Sequence, residues 1–102
     1  MSYGLSQSVI EKLLLVFSLT SEIDEAILFG SRAKGTFKEG SDIDIALKGT
    51  ELNMTLLRKI ELDVDNLNLP YKIDLVIYNN IEEPLLTEHI NRIGISIYKK
   101  TT

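Results

Sequence analysis

Phe29-Gly30-Ser31-Arg32-Ala33-Lys34-Gly35, followed after a polar loop by Ser41-Asp42-Ile43-Asp44-Ile45-Ala46-Leu47, is the stretch on which the fold turns. Ala26-Ile27-Leu28-Phe29 is a short apolar run that stops at Gly30 and reads as a buried strand. Ser31 to Gly35 reads as a short helical turn ending at a glycine, and Thr36 to Ser41 as a polar loop. Asp42 to Leu47 then alternates polar and apolar residues, the period of a strand.

The flanks extend this order. Ser6 or Ser8 can cap a first helix, with Val9, Ile10, Leu13, Leu14 and Phe17 at helical spacing through about Leu19. Asn53 or Thr55 opens a longer helix with an apolar stripe of Leu57, Ile60, Val64 and Leu67, and Pro70 is expected to stop it. Lys72 to Tyr78 reads as a third strand, Asn79-Asn80 as a turn, and Glu82 to Arg92 as a last helix ending at Gly94. Ile95 to Tyr98 is a final short strand before a basic tail. The predicted class is α/β (α+β), a sheet with helices on at least one face. With 102 residues, a single domain spanning 1–102 is expected.

Composition narrows the chemistry. There is no cysteine, which excludes a disulfide framework and thiolate metal sites, and which fits a reducing, cytoplasmic setting. The net charge is −4, so general binding to nucleic-acid backbones is disfavoured. The apolar stretch Leu13 to Phe17 is too short to span a membrane, and no basic segment precedes it as in a signal peptide. His89 is the single histidine, so any metal must be held by carboxylates. On its own, His89 reads as a surface or half-buried helix residue.

Three aspartates carry the chemical signal. Strand side chains two apart share a face, so Asp42 and Asp44 are expected to stand together opposite Ile43 and Ile45. Paired carboxylates repel unless a cation lies between them, and Mg²⁺ takes hard oxygen ligands while keeping waters and substrate phosphates. Asp74 sits inside an apolar strand and needs a partner: either a lysine such as Lys48 or Lys72, or a metal shared with Asp42 and Asp44. Three such aspartates can hold two ions. At Gly30-Ser31 a strand runs into a glycine and a hydroxyl residue, an arrangement that admits a phosphate closely. Arg32 and Lys34 place positive charge nearby, or are plain surface charges. Tyr78, at the end of the Asp74 strand, packs at the rim or stacks on a base.

Gly30-Ser31, ten residues, Asp42-Ile43-Asp44 and a later Ile73-Asp74-Leu75 together resemble the DNA polymerase β-like nucleotidyltransferase superfamily. Gly30 to Gly35 with Ser41 to Asp44 resembles its minimal nucleotidyltransferase (MNT) branch, the antitoxins of HEPN/MNT toxin–antitoxin pairs. Lys34 stands where that branch usually has arginine. The resemblance implies a mixed β-sheet flanked by helices and transfer of AMP from ATP to a hydroxyl, in this branch a tyrosine of a HEPN toxin. It implies Asp42, Asp44 and Asp74 as the catalytic and Mg²⁺-binding set, with two ions, and Gly30, Ser31 and Arg32 at the nucleotide. Two alternatives remain open: an antitoxin that neutralises its partner by contact, or a transferase acting on a small molecule. Self-association into a homo-oligomer is also compatible with the sequence.

Overall fold

Ser6 starts the first helix in the computed structural model, which describes residues 3–101: its side chain accepts a hydrogen bond from the Val9 N–H. Helix α1 runs Gln7–Ser18 and buries Leu13, Val16 and Phe17. Strand β1 (Glu25–Phe29) leads directly into the short helix α2 (Gly30–Lys34), closed by Gly35 in the left-handed conformation at φ 84°. Strand β2 is Ile43–Lys48, and helix α3, capped by the Asn53 side chain, is Met54–Asp65. Strand β3 (Ile73–Ile77) passes through a 3₁₀ turn (Tyr78–Asn80) to helix α4 (Pro84–Ile93) and strand β4 (Ile95–Lys99).

The strands form one mixed sheet in the order β3-β2-β1-β4. β1 is antiparallel to β2 and to β4, whereas β2 and β3 are parallel and joined through α3. Strand parity then divides the core. Ala26, Leu28, Ile43, Ile45, Leu47, Leu75 and Ile77 pack towards α1 and α3, with Phe17, Ile23 and Ile60 fully buried among them. On the other face, Ile27, Phe29 and Ala46 meet Ile90 of α4. Asp44 and Asp74 share the parity of Ala46 and Val76, so they lie on the α4 face.

The element order is the one expected, with three local differences. α3 ends at Asp65 rather than at Pro70, because Asn66 caps it and Asn68 turns left-handed at φ 56°; Leu67 and Leu69 fold back onto the core from outside the helix. Gly94 ends α4 at φ −62°, not in a left-handed cap, because the chain enters β4 at the next residue. β2 begins at Ile43, so Asp42 lies just ahead of the strand and is exposed. No helix among the described residues is long and apolar enough to cross a membrane.

Candidate active site

Gly30 brings the site together. It follows the last residue of β1 at φ 76°, and a Cβ in its place would collide with the Asp44 carboxylate. Both facts require glycine: only it enters that conformation freely, and only it leaves room for the neighbouring side chain. The register explains the proximity, since Asp44 pairs with Phe29 across the β1–β2 ladder. Ser31, half-buried, opens α2 beside it.

Asp44 also pairs with Asp74 on the parallel neighbour β3. The two side chains therefore stand on the same face of the sheet as register partners. Asp44 is held above its ordinary value, first by burial, then by the Asp74 charge, then by the Asp42 charge, and by the hydrogen bond its protonated form makes with Asp74. Lys72 Nζ stands 4.0 Å from Asp74 Oδ1, with both side chains largely in water. At that distance and exposure the pair contributes little, so Lys72 does not explain the Asp74 carboxylate.

Among the described residues, no three acidic or histidine side chains converge into a ready-made metal cage. Asp44 and Asp74 are brought together, while Asp42 acts on Asp44 by charge from the loop end. This donor set fits a hard divalent cation. Two crowded carboxylates supply hard oxygens whose repulsion a cation relieves, and Mg²⁺ ordinarily completes its shell with water and substrate phosphate rather than with protein alone.

Arg32 departs from the sequence expectation. It is 2% exposed, and its guanidinium donates to the Ser41 carbonyl through Nε and Nη2 and to the Tyr3 carbonyl through Nη1. Its Cζ lies 5.2 Å from the centre of the Phe37 ring and 5.0 Å from that of Tyr71. A guanidinium so placed braces the loop that carries Asp42, with its charge buried rather than presented at the surface. Lys34 is exposed. Tyr78 is engaged at both ends: its hydroxyl donates to Asn91 Oδ1 at 2.7 Å, and Lys48 Nζ lies 4.5 Å from its ring centre. It packs at the rim.

His89 is half-buried on α4, as expected of it, but it also reaches the site. Its Nε2 accepts a hydrogen bond from the Gly30 N–H at 3.3 Å, and its ring meets Phe29 edge-on, with centroids 6.2 Å apart. The contact spans 59 positions, and nothing in the local sequence of α4 announces it.

The arrangement has relatives of known structure. The chain is similar to a minimal nucleotidyltransferase, at 26% identity and TM-score 0.67, over 93% of this chain and 95% of that one. It is similar in fold to a chain of a toxin–antitoxin complex with AMP-PNP, at 24% identity and TM-score 0.68, over 94% of this chain and 75% of that one. The same holds for a chain from the complex of a tri-AMPylated Shewanella oneidensis HEPN toxin with its MNT antitoxin, at 18% identity and TM-score 0.69, over 94% and 74%. No curated protein matches the chain significantly. The family described as "Polymerase beta, Nucleotidyltransferase" matches residues 11–102. With its mixed sheet and the Gly30–Ser31 turn set against Asp44, the chain belongs to this nucleotidyltransferase family.

Proposed function

We propose that the protein transfers AMP from ATP to a tyrosine hydroxyl of a HEPN-type helical partner, and so acts as the antitoxin of a HEPN/MNT pair. The observation that carries this reading is the meeting of the Gly30–Ser31 turn with Asp44 and Asp74 on one face of the sheet. Asp44 and Asp74, with Asp42, hold Mg²⁺, which when bound neutralises charge on the phosphates. Gly30 lets the triphosphate approach the backbone, and the Ser31 hydroxyl donates to a phosphate oxygen. Asp74, on edge strand β3 and with its side chain 46% exposed, faces the incoming hydroxyl and takes its proton. The hydroxyl oxygen bonds to the α-phosphorus, the bond to the β-phosphate bridge breaks, and pyrophosphate leaves.

A partner is part of the mechanism. The Asp74 carboxylate stands on edge strand β3 with its side chain 46% exposed, within reach of an incoming group. Holding two reactants in line supplies roughly 7–11 kcal/mol of the barrier, and the helical partner would present the hydroxyl in that position. The decisive experiment is co-expression with a helical HEPN protein, followed by intact mass measurement of both chains. An AMP adduct on the partner that needs Mg²⁺-ATP is expected. A tight complex that never acquires the adduct would establish neutralisation by contact instead.

Ser31 gives a second check. Mg²⁺-ATP should raise the melting temperature, since a ligand at a hundredfold excess over Kd stabilises the native state by about 2.7 kcal/mol. Ser31→Ala removes a hydrogen bond to a charged oxygen and should weaken binding by about 1.5–3 kcal/mol. An unchanged thermal response in the variant would leave the phosphates to the backbone alone.

A further inference from the structure

We infer that His89 is a positioning residue for the nucleotide site: it pins the Gly30 peptide, and through it the distance between Ser31 and Asp44. The inference rests on the transferase reading above and adds a residue to it. Gly30 has the backbone least able to hold itself, since it has no Cβ and its φ of 76° is one of several wells open to glycine. The same peptide abuts the Asp44 carboxylate, so rotation there moves the phosphate-side turn relative to the cation-side carboxylates. His89 Nε2 is the acceptor that holds the Gly30 N–H in place.

The histidine is itself held. Phe29, the residue before Gly30, packs against its ring edge, and Ile90, next to it on α4, is 2% exposed among Ile27, Phe29 and Ala46. α4 is therefore anchored to the same sheet face that carries Asp44 and Asp74, and His89 carries that anchorage to the turn. A plain packing role predicts that any side chain of similar bulk serves as well. A positioning role predicts that the acceptor atom matters.

The amide tests this without nucleotide, and the nucleotide tests it again. His89→Leu keeps bulk against Phe29 and removes the acceptor, whereas His89→Gln keeps an acceptor oxygen at the same reach as Nε2. In amide NMR spectra of the nucleotide-free protein, the Gly30 resonance should shift and lose exchange protection in the Leu variant, and stay near its native position in the Gln variant. The Kd of Mg²⁺ with a non-hydrolysable ATP analogue should weaken about fivefold in His89→Leu, the worth of one modest hydrogen bond, and by less than about twofold in His89→Gln. Transfer assays should place most of the His89→Leu loss in KM for ATP rather than in kcat. Equal Kd values in the two variants, or a Gly30 amide indifferent to His89→Leu, would overturn the inference while leaving the transferase reading intact. A wild-type protein that binds no nucleotide would instead sink the transferase reading and, with it, the role given to His89.

Discussion

Asp44→Asn should lower nucleotidyl transfer by about a thousandfold and, in the presence of a chelator, raise the melting temperature. The two effects share one cause. Asp44 is crowded by Asp74 and Asp42 and partly withdrawn from water, so its folded value lies above its value in the unfolded chain. Between those two values the folded protein binds more protons than the unfolded one, and stability falls as pH rises through the window. Above the folded value the wild-type protein without a cation therefore carries the full penalty, which asparagine removes at nearly constant volume. The stabilisation by Asp44→Asn should be greatest at neutral pH and should fade as pH falls below the ordinary carboxylate range. Mg²⁺ should stabilise the wild type and leave the variant nearly unchanged. Loss of an electrostatic group that acts on the transition state typically costs 10²–10³ in rate, and a lost metal ligand belongs at the upper end, about 10³. Transfer assays and melts with and without chelator read both halves. Turnover near the wild-type level would remove Asp44 from the site.

The parts of this site that were legible in the sequence are those that strand periodicity controls. The alternation from Asp42 to Leu47 puts Ile43 and Ile45 into one core, which leaves Asp44 on the opposite face whatever the rest of the chain does. Asp74, a charge within an apolar strand, had to find company, and the parallel register sets it beside Asp44. Gly30 reads in the sequence as a place where a phosphate comes close to the backbone; the neighbour that requires glycine there in the structure is the Asp44 carboxylate. Arg32 and His89 were not legible because their partners are distant in sequence. A helix of five residues has no readable inner face, so nothing in Ser31-Arg32-Ala33-Lys34 distinguishes the buried cation from the exposed one. His89 likewise depends on how α4 lies across the sheet, which no local pattern states.

Arg32 is where that gap matters most, and Arg32→Ala should cost about 3–5 kcal/mol of folding stability. The guanidinium is buried, and its removal leaves the Ser41 and Tyr3 carbonyls without their donors, each worth about 1–3 kcal/mol when buried and unpaired. It also leaves a void beside the Phe37 and Tyr71 rings. A domain of ordinary stability has about 5–15 kcal/mol in total, so the variant should approach the limit of folding. Arg32→Lys should recover only part of the loss, because an ammonium lacks the planar fork that reaches two carbonyls in different segments. Lys34→Ala, two residues on and exposed, should stay within about 0.5 kcal/mol. Urea unfolding of the three variants measures this directly. If Arg32 instead served the nucleotide as a free surface charge, Arg32→Ala would unfold like Lys34→Ala and lose only its response to Mg²⁺-ATP. The geometry calls for the reverse, with the fold failing first and the site failing through it, because the Ser41 carbonyl that Arg32 holds lies directly before Asp42.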